Sequence, residues 1–252
     1  MSRRKRSADR IVRAATQAQF WKMYWRVLTR FRPALRTCVA YTTGREGLCP
    51  QRVIVKTPAG PHQIRVHTPD DLTTVLECFG KIDYPVQGDE RLIVDLGSNI
   101  GISALYFLTY SNARLHLFEP VPQNIERLTD NLQGFESRFV LHETAVGEAT
   151  GTADFGVEPT GRYGGLTVRL TTKVQVKVVD VVEALDEIIE SEGDIDVLKV
   201  DIEGLEAVVL ERLQDHGLLS HIKCIYAELP DGDLRLSGTR FSRHGLISRF
   251  ER

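Results

Sequence analysis

Arg91-Leu92-Ile93-Val94-Asp95-Leu96-Gly97-Ser98-Asn99-Ile100-Gly101-Ile102-Ser103-Ala104 is the stretch on which the reading of the fold depends. An apolar run reads as a buried strand, breaks at Gly97, and passes into a helix around Gly101. Glycine at 97 permits a tight turn with no Cβ between the backbone and a ligand, and Gly101 lets the start of the helix pack close to the strand. A helix N-terminus at the end of such a strand presents unpaired N–H groups. Doubly wound sheets bind nucleoside-containing or anionic ligands at that place. The surrounding segment, Leu92 to Tyr110, is the most apolar of the chain. Asp95, Ser98, Asn99 and two glycines within it suit a strand–turn–helix better than a membrane span.

Outward from this turn, strands are predicted at 91–95, 113–119, 138–142, 174–180, 195–201 and 223–229, with helices at 100–109, 121–133, 181–191 and 203–213. Alternation of this kind implies an α/β fold: a doubly wound, Rossmann-like, mainly parallel sheet with helices on both faces. Upstream, residues 52–57 and 62–67 alternate around Pro58-Ala59-Gly60-Pro61 as a β-hairpin, and Pro69-Asp70-Asp71 opens a helix to about Phe79. The expected organisation is a basic helical arm (1–50), a hairpin-and-helix lead-in (51–90) and a cofactor-binding catalytic domain (91–252). The second strand of the alternation ends at Phe118-Glu119-Pro120. An acid there accepts hydrogen bonds from ribose hydroxyls and rejects a phosphate. Nicotinamide cofactors share that geometry, but their fingerprint needs glycine where this chain has Asn99.

With Leu198-Lys199-Val200-Asp201-Ile202-Glu203-Gly204-Leu205-Glu206 added to the turn and to Phe118-Glu119-Pro120, the chain resembles the FkbM-type, class I S-adenosylmethionine-dependent methyltransferases over roughly residues 75–230. Ala145-Val146-Gly147 and Tyr226-Ala227-Glu228 also match. The resemblance implies that Asp95, Gly97, Ser98, Asn99, Gly101, Glu119, Asn124, Thr144, Ala145 and Asp201 line the site of S-adenosylmethionine and of its product S-adenosylhomocysteine, with Tyr84 a further candidate to cover it. The expected reaction is O-methylation of a hydroxyl on a small molecule such as a sugar or natural-product intermediate. Few residues follow Glu228, so the sheet is expected either to lack an edge strand or to be completed by a partner.

A hydroxyl nucleophile must lose its proton, so a base within reach helps. Asp201, at the end of a central strand, is the first candidate; as an alternative it caps the next helix. Glu203 is a second candidate, or a favourable first-turn charge. His142 is a third, at the end of the third strand. Glu228 on the last strand, and Arg162 with Tyr163 in a glycine-rich loop, are candidate substrate contacts. A divalent metal is not favoured: Asp194 and Asp196 fall at the far end of the strand from Asp201, about 16 Å or more at the usual rise per residue.

The 252 residues are 42% hydrophobic and 26% charged, which excludes a disordered chain, a collagen and a coiled-coil rod. The net charge of −2 hides a division, +10 on residues 1–36 against −12 on the rest. Four scattered cysteines without a C-x-x-C, and a basic N-terminus without an apolar core, fit a reduced cytoplasm. Residues 8–31 read as a helix with an apolar stripe of Ile11, Ala14, Ala18, Trp21, Trp25 and Leu28, widened by Phe20, Tyr24, Val27 and Phe31. That stripe is expected to dock on the domain or on a second subunit, most simply in a homodimer. Contact with an anionic membrane is the next reading. Nucleic acid is not favoured. The body is acidic, and the segment Asp201-Ile202-Glu203-Gly204 lacks the Asn/Asp-Pro-Pro-aromatic loop of amino-directed base methyltransferases. The competing functions are a nicotinamide-dependent oxidoreductase on the same sheet and a non-catalytic interaction module.

Overall fold

Phe20, Met23 and Val27 recur at helical spacing and are buried along α1 (Ala18–Arg30), the first element among the described residues of the computed structural model. The structure describes residues 18–49, 51–157, 164–166, 172–229 and 234–252. The Ile11 and Ala14 end of the predicted helix lies outside them. The chain forms two compact units, Met1–Pro85 and Val86–Arg252.

In the first unit the predicted stripe is two faces. Phe20, Met23 and Val27 point inward, whereas Trp21, Trp25 and Leu28 are exposed. The helix stops at Arg30, ahead of Pro33. Phe31–Arg32 form a short strand, β1, which leads into a helix not anticipated from spacing, α2 (Ala34–Thr43). β1 pairs antiparallel with β2 (Arg52–Thr57), which pairs with β3 (Gly60–Arg65) across the two-residue turn Pro58-Ala59. Strict alternation buries Val53, Val55 and Thr57 and exposes Arg52, Ile54 and Lys56. α3 (Pro69–Val75) starts on a reciprocal cap, Thr68 accepting from the Asp71 N–H and Asp71 from the Thr68 N–H. It continues as a π-helical turn, Leu76–Lys81.

The second unit runs β4 (Leu92–Leu96), α4 (Ile102–Tyr110), β5 (Arg114–Phe118), α5 (Pro122–Asn131), β6 (Phe139–His142), β7 (Ala145–Gly147), β8 (Gly151–Val157), β9 (Gly164–Gly165), β10 (Lys173–Asp180), α6 (Val181–Glu192), β11 (Ile195–Val200), α7 (Glu206–Asp215), β12 (Ile222–Glu228), β13 (Arg240–His244) and β14 (Ile247–Glu251). Seven of these strands form one sheet in the order β13-β14-β12-β11-β4-β5-β6. The five from β12 to β6 are parallel, so the fold is the expected doubly wound one. Leu92, Val94 and Leu96 face α6 and α7 through Val181, Leu185, Val209 and Leu210. Asp95 faces the other way, toward Ser103 of α4.

Three expectations change. Strand 174–180 does not join the parallel sheet: β10 pairs parallel with β7 and antiparallel with β8 in a separate four-stranded sheet, over a small core of Val121, Ala145, Phe155, Val176 and Val178. The main sheet does not lack an edge, because β13 and β14 form a hairpin whose second strand pairs antiparallel with β12. The helix expected from 203 begins at Glu206. Glu203 takes the left-handed region at φ 58° and Gly204 comes next at φ 104°, so this stretch is a loop.

Candidate active site

β4 is flanked by β5 on one side and β11 on the other, and successive strands then move outward in opposite directions. The carboxyl ends on either side of β4 therefore form the topological switch point, where doubly wound sheets place ligands. The register aligns Leu96 with Phe118 and Val200, Phe118 with His142, and Val200 with Ala227. The residues next in sequence, Gly97, Glu119, Asp201 and Glu228, therefore share one edge.

The turn after β4 is built from left-handed residues. Gly97, Asn99 and Gly101 have φ of 82°, 49° and 79°. Asparagine tolerates that region better than most side chains, which accounts for Asn99 without a third glycine. Gly97 is required by the protein itself. A Cβ there would lie 1.9 Å from the Asp201 carbonyl oxygen, so the space expected to face a ligand is filled by the end of β11. A Cβ at Gly101 would press on Leu128 of α5 at 3.0 Å, so the close packing it allows is against that helix and not, as expected, against the strand. The amides of the turn are spent internally. Gly97 and Ser98 N–H both donate to the Phe118 carbonyl, at 3.1 and 3.0 Å, and Asn99 N–H donates to the Glu119 carboxylate at 2.9 Å. A pyrophosphate needs such donors for itself.

Glu119 is buried at the end of β5. Its carboxylate also accepts from Val121 N–H at 3.0 Å and from the Asn124 side-chain amide at 3.2 Å. Burial nevertheless pushes its pKa up to about 7 against those donors. Thr144 lies just past β6, and its hydroxyl donates to the Lys177 carbonyl at 3.0 Å, tying the start of β7 to β10. Ala145 is buried on β7, opposite Val178.

On the other side of β4, Asp201 is partly exposed. Its N–H donates to the Leu96 carbonyl at 3.1 Å, and its carboxylate lies 3.6 Å from the Lys199 ammonium. Sequence reasoning placed Lys199 in a motif and gave it no role. It is 3% exposed, 2.9 Å from the carboxylate of the fully buried Asp95, and donates to the Gly97 carbonyl at 3.1 Å. Asp95 also accepts from the Ser103 hydroxyl at 2.6 Å. Asp95, assigned to the cofactor by resemblance, thus engages Lys199 and Ser103 in the interior. The signal was legible: opposite charges in two apolar central strands, each two residues before the strand-end motif, must find each other when buried. The loop Ile202-Glu203-Gly204 is held by Glu206, whose carboxylate accepts from Ile202 N–H at 3.0 Å and Gly204 N–H at 2.9 Å. Neither Asp201 nor Glu203 is the cap residue of α7, which is Leu205.

His142 ends β6 in a ring stack, 4.3 Å from the Phe118 ring centroid. Its Nε2 is 3.0 Å from His116 Nδ1, and His116 reaches Glu192 at 2.9 Å. Burial and the neighbouring His116 push its pKa down to about 4. Glu228 is half-buried at the end of β12, opposite Ile247. Tyr84 is buried in the first unit. Arg162 and Tyr163 lie outside the described residues. Among the described residues no three His, Cys, Asp or Glu side chains form a metal-holding group. No helix among them is long and apolar enough to cross a membrane.

The model of the methyltransferase FkbM domain matches residues 95–231, which carry this whole strand-end edge. The hexuronic acid methyltransferase AglP of Haloferax volcanii is 27% identical over 147 residues, 57% of this chain and 58% of that protein, so the chain spans less than two thirds of the relative's length. Among solved structures, methyltransferase FkbM from Methylobacillus flagellatus KT is 16% identical, with 73% of this chain and 54% of that chain covered at a TM-score of 0.44. A methyltransferase from Geobacter sulfurreducens is 18% identical, with 66% and 72% covered at 0.38.

Proposed function

We propose that this chain, which belongs to the methyltransferase FkbM family, is an S-adenosylmethionine-dependent enzyme that methylates a hydroxyl of a small, sugar-like acceptor. The observation that carries the reading is the pair of carboxylates at the switch point. Glu119 is buried and fed by three N–H donors, and Asp201 is partly exposed beside a buried lysine. The residues fit the cofactor. A carboxylate has about four acceptor sites, so beside its three N–H donors Glu119 keeps about one for a ribose hydroxyl. The turn amides are committed to Phe118 and Glu119, which suits a ligand without phosphates. Asp201, Glu203 and Glu228 give the edge an acidic character that a sulfonium cation favours.

Ser98, Asn99 and Gly101 would lie against the amino-acid portion, with Gly97 shaping their turn, Glu119 and Asn124 would hold the ribose, and Thr144 with Ala145 the adenine edge. When bound, S-adenosylmethionine supplies an electrophilic methyl group. Asp201 accepts the proton of the acceptor hydroxyl at its carboxylate, and the ammonium of Lys199, 3.6 Å away, orients that carboxylate. Glu206 pins the loop that carries Glu203, which fixes the approach of the acceptor to Asp201. Glu228, on the neighbouring strand, is placed to accept hydrogen bonds from other hydroxyls of a sugar. AglP is named for a hexuronic acid, an acceptor of that class.

Calorimetric titration with S-adenosylmethionine tests the cofactor, and mass spectrometry of hexuronic-acid glycosides incubated with enzyme and cofactor tests the acceptor. Saturable binding lost in Glu119→Ala, and addition of one methyl group, are expected. Absence of binding by the wild type overturns the cofactor assignment; binding without methylation of any hydroxylated acceptor overturns the acceptor class.

A further inference from the structure

The first unit carries five of the seven large apolar side chains that stand exposed among the described residues on just two helices. Trp21 (63%), Trp25 (71%) and Leu28 (45%) succeed one another at spacings of four and three on α1, and Leu35 (73%) and Val39 (47%) lie four apart on α2. Single exposed apolar residues are ordinary; two tryptophans and three aliphatics on adjoining helices are not. The inward faces of the same helices, through Phe20, Met23, Val27, Ala40 and Tyr41, already satisfy the core.

The charges carried by the two helices themselves have one sign. Lys22, Arg30, Arg32, Arg36 and Arg45 are exposed, and no acid occurs between residues 18 and 45. The outer face of the β1–β3 sheet continues the pattern, since Arg32 pairs with Ile54 and Arg52 with Arg65, with Lys56 on the same side. Trp with a basic rim is the composition of a surface that lies at a lipid headgroup boundary: the indoles and aliphatic chains enter the apolar side, and Lys and Arg stay with the phosphates.

A second copy of the chain is a poorer occupant. Placed face to face, two such surfaces oppose like charges. Placed on the acidic second unit, the tryptophans meet a surface whose only exposed large apolar side chain among the described residues is Leu246.

We propose that the Trp21–Trp25–Leu28 face of α1, with Leu35 and Val39 of α2, docks the protein peripherally on an anionic lipid surface. This inference does not depend on the reaction assigned to the second unit.

The chain supplies its own probe, because Trp21 and Trp25 are its two tryptophans. Full-length protein is titrated with phosphatidylcholine vesicles, with and without phosphatidylglycerol, while tryptophan emission is monitored and bound protein is collected by flotation. A blue shift and co-flotation with the anionic vesicles, weakened by added salt, are expected. In the double variant Trp21→Ser/Trp25→Ser, flotation should fall at least tenfold with an unchanged circular dichroism spectrum, since both side chains are exposed. No uptake by anionic vesicles overturns the proposal. So does equal uptake by neutral ones, or self-association without lipid that the double variant abolishes; this last result assigns the face to a second copy.

Discussion

Glu119 and Asp201 stand at the same edge of one sheet, on opposite sides of β4, and the protein treats them differently. Glu119 is buried, receives three N–H donors and has its pKa pushed up to about 7; Asp201 is partly exposed and lies against the ammonium of Lys199. The strands that present them are alike. The difference arises in the segment beyond each strand: Pro120 with the buried Val121 and Asn124 after Glu119, a left-handed loop after Asp201. One carboxylate is built into the wall, where it can receive hydroxyls from a ligand that stays. The other faces outward, where it can meet a group that comes and goes.

The largest expected effect lies at the connection between the two sides. Lys199→Met leaves the buried Asp95 without its cation, and should cost about 3–5 kcal/mol in urea unfolding. Asp95→Asn in the same chain should recover part of that loss. If Lys199→Met is neutral, the two sides are not joined through this bridge.

Next, Glu119→Ala should weaken S-adenosylmethionine binding about a hundredfold, the scale of one or two hydrogen bonds to a charged group. Asp201→Asn should leave calorimetric affinity within about threefold and lower kcat at least tenfold. A reversal of these two outcomes would exchange the roles assigned to the two carboxylates.

The smallest effect is that of pH. Hydroxyl donors need Glu119 ionised, and its pKa stands near 7 when the site is free. Affinity should therefore fall as pH drops through 7, by up to about tenfold per unit, and binding should release protons. For the free protein the sign is opposite. A carboxyl with a raised folded-state pKa favours the folded state at low pH, and that contribution is lost as pH rises from the ordinary carboxyl range through 7. Glu119→Gln should flatten both profiles.

Much of this was legible in the residues. The run from Arg91 to Ala104 announced strand, turn and helix, and the acid at 119 stood at the end of the next strand, because buried strands and glycine turns write themselves into local composition. Strand membership did not. Lys173–Asp180 alternates like any half-buried strand, and nothing local says that it pairs with Gly151–Val157 instead of with its neighbours in the alternation. Arg240–His244 escaped because its exposed, charged face hides the strand period. The start of α7 shifted because Glu203 adopts a left-handed conformation that its residue type does not advertise. In the arm, spacing gathered Trp21 and Phe20 into one stripe, whereas packing separated them into an outer and an inner face.

The contact between Gly97 and the Asp201 carbonyl has a consequence for descent. With only 1.9 Å available to a side chain at 97, the glycine is an obligation of the architecture, whatever the chain catalyses. A duplicated copy that lost its chemistry would still have to keep it, together with the strand end that fills the space. Among diverged members of such a lineage, the glycines therefore record ancestry. Under the roles proposed for them, the side chains at 119 and 201 would record whether the chemistry persists, and a survey for silent copies should read those two positions first.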